Sequence, residues 1–396
     1  MNILPYGRQN IDEDDIDAVV RVLRGDWLTT GPAVEGFETA LCEATSAGHA
    51  VACSSGTAAL HIAFAAAGVG PGDKVIVPSV TFAASANAAF YVGATPIIAD
   101  VDAETGLLTP DGLSEAFDRS GGAAAVVPVH LAGQVCDMPG LSAIARREGM
   151  KVIEDACHAI GGTIDEGDGV SAVGACAYSD AAAFSFHPVK TVAMGEGGAV
   201  TTNDETMAGV MRRLRSHGIR REPDGFINTA LATDGGKTNP WYYEIGELGF
   251  NYRASDIHCA LGLSQMKKLD RSVARRAELV EIYLDLLAPL APVVRPLGRR
   301  GGGRTAWHLF VARIDFAAAG ISRGDLMRAL RECGVGSQVH YIPLHLMPAF
   351  QTGAAEAAFP GAMNYYEKCL SLPLYVGMTD EDVENVVRSL AAALNI

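Results

Sequence analysis

Lys190 stands between an apolar run and a glycine cluster in the segment AAAFSFHPVKTVAMGEGGAVTTND, residues 181–204. Lysine is strongly hydrated and is seldom buried unless it is paired or chemically used. Taken alone, the position is typical of a surface lysine in a turn. However, Ser185 lies on the other side of the same turn, and the glycines within 195–198 leave room for a flat ligand near the backbone. Lys190 is therefore a candidate amine nucleophile.

Three further features fall where short apolar runs end. In SSGTAAL, residues 54–60, the chain turns into a helix starting near Thr57, whose free amides and hydroxyl suit a phosphate or an ordinary helix cap. Asp155 ends the run KVIED and is followed by His158. This carboxylate suits a protonated heterocyclic nitrogen, with a helix cap and a metal site as the alternatives. Phe82 begins a helical pattern and could stack on a planar ligand, although core packing is the commoner role.

A single cofactor, pyridoxal 5′-phosphate (PLP), requires all of these groups. PLP chemistry needs a lysine for a covalent link, a carboxylate that keeps the ring nitrogen protonated, a phosphate cup and a group that stacks on the ring. Ligands of parallel α/β sheets bind beyond the carboxyl ends of the strands, where these residues are expected. The combination predicts a PLP site in which Lys190 is both the covalent anchor and the base that transfers a proton. No metal is expected.

The elements that must position these residues alternate along the first half of the chain. Apolar runs separated by helical patterns predict a mainly parallel sheet covered by helices on both faces, an α/β fold. The runs that indicate strands are HAVACSS, KVIVPS, TPIIADVD, AAAVVPVHLAG, KVIEDA and AAAFSFH. Residues 220–240 are polar and aperiodic and predict a long loop. Residues 254–287 have a helical pattern throughout. We expect a large domain over 1–265 and a smaller domain over 266–396.

Composition bounds the functional class. Hydrophobic residues make up 49% of the 396 and charged residues 19%, which is typical of a globular protein. The formal charge of -15 argues against a general surface that binds nucleic acid or anionic membranes. The eight cysteines show no CxxC pair, and neither a signal peptide nor an apolar run of about 20 residues is evident. These features predict a cytoplasmic protein with reduced cysteines.

Motifs along nearly the whole chain are similar to those of a known family. They are LTTGP, SSGTAAL, VTFAASANA, EDACHAIGG, FSFHPVKTVAMGEGGAVTTND, RSHGI, LGFNYRASDIHCALGLSQMKKLD, QVHYIPLH and SLPLY. In these motifs the chain resembles the sugar-nucleotide aminotransferases of the fold-type I PLP enzymes. The resemblance implies a seven-stranded, mainly parallel sheet between helices and a smaller α+β C-terminal domain. LPYGRQ, DWLTTGP, CALGLSQ and QVHY look most like the transaminase of pseudaminic acid biosynthesis, which makes UDP-4-amino-4,6-dideoxy-N-acetyl-β-L-altrosamine.

The resemblance also implies roles for individual residues. For the cofactor, Lys190 would be the covalent anchor, Asp155 would pair with the ring nitrogen, His158 would lie near the ring hydroxyl and Phe82 would stack on the ring. The phosphate would be bound by Thr57, Ala58 and Ser185, together with Asn251 from a second subunit. The positions expected to face the sugar nucleotide are Tyr6, Trp27, Leu28, Thr29, His217, His340 and Tyr341, and Arg253 is expected at a carboxylate of the amino donor.

The implied reaction is a ping-pong transfer of the amino group of L-glutamate to a 4-keto-6-deoxy UDP-N-acetylhexosamine. Because a second subunit would complete the site, a homodimer or a larger even assembly is expected. Alternative acceptors are GDP, dTDP or other UDP keto sugars and lipid A precursor sugars. Relatives that dehydrate or deoxygenate carry histidine in place of the lysine, so Lys190 argues against that branch. A non-catalytic PLP- or sugar-binding regulator would need a partner domain, for which no residues are left.

Overall fold

The computed structural model describes residues 3–165, 169–350 and 358–396. The helices are α1 Glu13–Leu23, α2 Pro32–Thr45, α3 Gly56–Ala66, α4 Ala84–Tyr91, α5 Pro110–Ser120, α6 Met138–Glu148, α7 Glu205–Leu214, α8 Thr229–Ala232, α9 Asp256–Met266, α10 Leu269–Leu287, α11 Phe316–Ala319, α12 Arg323–Glu332, α13 Pro360–Lys368 and α14 Asp380–Leu394. The strands are β1 His49–Cys53, β2 Lys74–Pro78, β3 Thr95–Ala99, β4 Ala125–Val126, β5 Lys151–Asp155, β6 Thr163–Asp165, β7 Val170–Ala172, β8 Ala181–Ser185, β9 Gly198–Thr202, β10 Ile219–Arg220, β11 Thr233–Asp234, β12 Lys237–Thr238, β13 Glu244–Ile245, β14 Val294–Pro296, β15 Phe310–Ile314 and β16 Cys369–Leu372.

The central sheet has seven strands in the order β1-β9-β8-β5-β4-β2-β3. The neighbours from β8 to β3 run parallel, whereas β9 is antiparallel to both β1 and β8. Each of the six runs that predicted strands contributes a strand, and the seventh is β9. The predicted α/β fold with a mainly parallel seven-stranded sheet is therefore confirmed. A second sheet, β14-β15-β16, is antiparallel and lies in the C-terminal part of the chain.

The structure differs from the sequence pattern at three places. The run 123–133 forms only the two-residue β4, because Pro128 has no N–H to continue the ladder. The helical pattern over 254–287 divides into α9 and α10 at Lys268, where φ is -108° and ψ is 4°. The segment 220–240 contains a short helix, α8, and the small β11-β12 hairpin rather than loop alone.

Two clusters of buried apolar side chains form the core. The first lies around the central sheet, and Phe37 and Phe186, both fully buried, meet there edge to face with ring centroids 5.0 Å apart. The second joins α10, α12 and α14 to the antiparallel sheet, with Tyr283 stacked on Phe310 at 4.2 Å. Residues within 297–350 and 359–369 also contribute to the first cluster, and the boundary at 265/266 stays a prediction. Among the described residues, no helix combines the length and apolarity needed to span a bilayer.

Candidate active site

A cavity of about 810 Å³ opens where β5 and β8 end. Its wall includes the first turn of α3, the residues that lead into α4, and the segment 338–350. The sequence-predicted residues that line it are Tyr6, Thr57, Phe82, Asp155, His158, Ser185, Lys190, His340 and Tyr341. The ends of β5 and β8 thus bring Asp155, Ser185 and Lys190 to one edge of the sheet. Tyr6, His340 and Tyr341 join them from distant parts of the chain.

Lys190 lies in the turn that follows β8. Its backbone N–H donates to the carbonyl of His187 at 2.8 Å, which closes the turn and directs the side chain into the cavity wall. Burial lowers the pKa of the Lys190 ammonium, while the neighbouring Cys157 and Asp155 act in the opposite direction. An amine with a lowered pKa loses its proton more readily, which suits both a nucleophile and a base.

Asp155 is the last residue of β5 and is only 6% exposed. The Ser85 hydroxyl, in the first turn of α4, donates to its Oδ2 at 2.7 Å. The backbone N–H of Cys157 donates to its Oδ1 at 3.3 Å. These two donors fix the plane of the carboxylate at the floor of the cavity, where an anionic acceptor can bind a ring N–H.

His158 is held at both ring nitrogens. The N–H of Ala132 donates to Nδ1 at 3.3 Å, and the Tyr341 hydroxyl lies 3.2 Å from Nε2. Burial, followed by the charges of Lys190 and His340, holds the pKa of His158 well below its usual range. The imidazole is therefore neutral, with its proton on Nε2, and it donates to the oxygen of Tyr341.

The start of α3 forms an anion cup. Ser55 caps this helix by accepting the Ala58 N–H at 3.1 Å, and the first intrahelical bond runs from Ala59 to Ser55 at 3.0 Å. Gly56 and Thr57 line the cavity, and their amides precede that bond and so have no partner within the helix. A Cβ on Gly56 would lie 2.8 Å from the Cβ of Ser185, so glycine permits the close approach of helix and strand. Ala58, predicted at the phosphate, is buried and already donates its amide to the cap.

Aromatic and imidazole rings line the outer side of the cavity. Phe82 is 60% exposed, and its ring centroid lies 6.0 Å from that of Tyr341. Tyr6 lies 5.2 Å from the ring of His340, whose Nδ1 is 2.8 Å from the Ser371 hydroxyl. Burial and the charge of Lys190 lower the pKa of His340 to about 4. The exposed ring of Phe82 is available for stacking on a planar ligand.

Six predicted residues do not line this cavity and instead gather around the segment 250–256. We call them the second patch: Trp27, Leu28, Thr29, His217, Asn251 and Arg253. Thr29 pairs with Ser255, and the Leu28 carbonyl accepts the N–H of Asp256 at 3.0 Å. Asn251 pairs with Ser216, whose hydroxyl accepts from Arg253 Nη1 at 3.1 Å, and the His217 N–H donates to the Phe250 carbonyl. The second patch therefore lies along the segment 250–256, with Leu28 and Thr29 at one end of it and His217 and Asn251 at the other.

Sequence reasoning missed several residues that line the cavity or support it from behind. Ser85 lies within an alanine-rich helical pattern, and nothing in that pattern indicates that its hydroxyl meets Asp155. Cys157 lines the cavity within the motif that supplied Asp155 and His158, and Glu196 is an additional carboxylate at its edge. An apolar wall comes from Ile342, Leu344, Met347 and Phe350. Within 3–165, 169–350 and 358–396, no three His, Cys, Asp or Glu side chains form a metal-binding group.

Comparison with known proteins identifies the family. The model of the DegT/DnrJ/EryC1/StrS aminotransferase family matches residues 9–391. The chain belongs to this family. It is 39% identical over 392 residues to the spore coat polysaccharide biosynthesis protein SpsC of Bacillus subtilis (strain 168), covering 98% of this chain and 96% of SpsC.

Solved structures agree over the whole chain. Helicobacter pylori PseC, an aminotransferase involved in the biosynthesis of pseudoaminic acid, has a TM-score of 0.88 at 26% identity and covers 100% of both chains. Spr1654 from Streptococcus pneumoniae, solved in a PLP form, has a TM-score of 0.87 at 28% identity and covers 99% of each chain. The protein is a PLP-dependent sugar aminotransferase, which confirms the predicted enzyme class and cofactor.

The residues of the cavity fit PLP. Lys190 is an amine in the wall, Asp155 would be the carboxylate for the ring nitrogen, and the start of α3 with Ser185 would provide donors for the phosphate. The close approach that Gly56 permits shapes this cup. When bound, PLP supplies an electron-withdrawing ring that stabilises the negative charge left when a proton is removed from the adjacent carbon.

Proposed function

We propose that this aminotransferase moves the amino group of L-glutamate to the 4-keto carbon of a UDP-linked 4-keto-6-deoxy-N-acetylhexosamine. The product would serve the synthesis of a pseudaminic-acid-type sugar or a surface polysaccharide in the cytoplasm. The main support is the end-to-end similarity to PseC, with a TM-score of 0.88. The motifs LPYGRQ, DWLTTGP, CALGLSQ and QVHY add support, since they contain Tyr6, Trp27 and His340.

In this proposal Lys190 holds the cofactor covalently and, once released from it, moves a proton between two carbon atoms. Its lowered pKa favours the free amine that accepts the proton, and the cavity wall keeps that amine close to the reacting atoms. Asp155, oriented by Ser85 and the Cys157 amide, binds the cofactor's ring N–H. Phe82 covers the outer face of the ring, and the amides at the start of α3 bind the phosphate.

We further propose that two copies of the chain share their active sites. Asn251 of the second patch would complete the phosphate cup of the partner, Arg253 would bind the donor's carboxylate, and Trp27 and His217 would face the nucleotide sugar. In support, exposed apolar side chains accumulate next to the second patch on the segment 227–248: Ile227, Leu231, Trp241, Tyr243, Ile245 and Leu248. Such a concentration is typical of a surface that is covered by a partner.

A substrate panel tests the proposed acceptor. Purified enzyme is given L-glutamate and 4-keto UDP, dTDP or GDP sugars, and the amino sugar and 2-oxoglutarate are quantified. We expect the highest kcat/KM with the UDP-linked 4-keto-6-deoxy-N-acetylhexosamine and one 2-oxoglutarate per amino sugar. Lys190→Ala is the inactive control, and Lys151→Ala, at an exposed lysine paired with Asp180, is the matched active control. Preference for a dTDP or GDP sugar would contradict the proposed acceptor.

Subunit mixing tests the shared site. Lys190→Ala and Asn251→Ala are purified separately, mixed under conditions that allow subunit exchange, and assayed. A mixed dimer contains one site with an intact Lys190 from one chain and an intact Asn251 from the other. Random exchange should therefore restore about one quarter of the wild-type activity. If both residues act within the same chain, mixing restores nothing, and the shared site is wrong.

A further inference from the structure

His308 is a buried histidine that touches the cofactor pocket only through another residue. It is 4% exposed, and within the described chain its Nδ1 has no hydrogen-bond partner. Its ring centroid lies 4.3 Å from that of His158, with 46° between the ring planes. Burying a ring nitrogen without a hydrogen-bond partner destabilises the folded state. If this position served only for packing, an apolar side chain would fill it at a lower cost in folding free energy.

The backbone of Ala132 links the two histidines. The backbone N–H of His308 donates to the Ala132 carbonyl at 2.9 Å, and the N–H of Ala132 donates to His158 Nδ1. Ala132 has a φ of 60°, a left-handed conformation that non-glycine residues seldom adopt. This conformation directs the N–H and the C=O of one residue toward different partners, so the His308 backbone and the His158 ring are held in fixed relation.

We propose that His308 is a positioning residue that holds His158 as its Nε2–H tautomer, directed at the Tyr341 hydroxyl. The ring of His308 packs on the imidazole of His158 and blocks its rotation, while Ala132 occupies the acceptor nitrogen. The proton of His158 is thereby kept on the side of the cavity. The inference rests on the proposed position of His158 beside the cofactor's ring hydroxyl.

The electrostatic surroundings keep both rings neutral. Burial, followed by the charges of His158, Lys190, Arg276 and His340, holds the pKa of His308 well below its usual range. Arg276 is 2% exposed and donates from Nη1 to the His308 carbonyl at 3.2 Å and to the Leu374 carbonyl at 2.8 Å. These bonds anchor the His308 backbone, so a side-chain substitution there tests the ring alone.

The test uses apoprotein labelled with ¹⁵N in its histidine rings. The variants are His308→Ala, which removes the ring, His308→Phe, which keeps a ring of similar shape, and His61→Ala at another buried histidine packed among aromatic rings. The tautomer of His158 is read from its ring ¹⁵N shifts, assigned with His158→Gln, and PLP affinity is measured by titration. If His308→Ala does not fold, His308→Leu replaces it.

We expect His308→Ala to give a mixture of His158 tautomers and to weaken PLP binding about tenfold, or about 1.4 kcal/mol. His308→Phe should restore the single tautomer and the wild-type affinity, and His61→Ala should leave the tautomer unchanged. A single Nε2–H tautomer with unaltered affinity in His308→Ala would overturn the proposal, and so would a His308→Phe variant that behaves like His308→Ala. Neither readout involves a sugar, so this test remains valid even if the acceptor sugar proposed above is wrong.

Discussion

Replacing Gly56 by alanine should displace the start of α3, and with it the phosphate cup, by a distance that follows from the contacts around Gly56. The added Cβ would lie 2.8 Å from the Cβ of Ser185 and 3.2 Å from Cys157 Sγ, whereas ordinary contacts of this kind begin at 3.4 Å. The start of α3 must therefore move away from the end of β8 by roughly 0.6 Å, because a Cβ cannot rotate aside. Overpacking of this kind costs about 1–3 kcal/mol of folding stability.

The same displacement separates the amides of α3 from Ser185, two sets of donors that we expect at one phosphate. We predict that Gly56→Ala weakens PLP binding about tenfold, a free-energy change of about 1.4 kcal/mol. PLP titration of the apoprotein and urea unfolding measure the two effects. Gly209→Ala is the matched control, because a Cβ there meets only Arg213 Nη1, at 3.7 Å, and alanine favours the helix α7. Wild-type PLP affinity in a folded Gly56→Ala variant would refute the reasoning.

Other substitutions and conditions test the site and the core. Ser85→Ala removes the hydroxyl that orients Asp155, so PLP affinity in a titration should fall about tenfold, while Ser142→Ala, also at a buried serine, should leave it unchanged. Stability in urea should decline as the pH falls from about 6.5 toward 4, because the unfolded chain protonates His340 near 6.5 while the folded chain resists until about 4. His340 lowers the free energy of unfolding by at most about 1.4 kcal/mol per pH unit in this range, and His340→Gln should make the decline less steep. The same slope of unfolding free energy against pH in that variant would contradict the assignment. Phe37→Ala should cost about 3–5 kcal/mol in urea unfolding, since it empties the edge-to-face contact with Phe186, and a loss below 1 kcal/mol would contradict the packing.

Much of the site follows from the order of residues along the chain. Parallel strands end at one edge of the sheet, and polar residues that directly follow apolar runs therefore converge, as Asp155, Ser185 and Lys190 do. The glycine-to-helix turn at Gly56 likewise indicates a set of free amides. This convergence can be predicted because it depends on local geometry and on the direction of strands, both of which the pattern of apolar residues specifies.

Other features depend on contacts that no local pattern specifies. Strand β9 begins within a glycine cluster, and its insertion between β1 and β8 depends on pairing with both. The break at Lys268 occurs within a continuous helical pattern, where the Lys268 ammonium bonds to Asp12 and Asp15, each at 2.7 Å. Ser85 and His308 act through side chains more than 60 residues away along the chain. Their surroundings exist only after the chain has folded.

The covalent link at Lys190 is tested most directly by borohydride reduction of the PLP-loaded enzyme, followed by proteolysis and mass spectrometry. We predict a pyridoxyl modification on the peptide that contains Lys190 and on no other lysine, together with loss of activity. Modification of a different lysine, or an unmodified Lys190 in enzyme that still binds PLP and turns over, would contradict the central assignment.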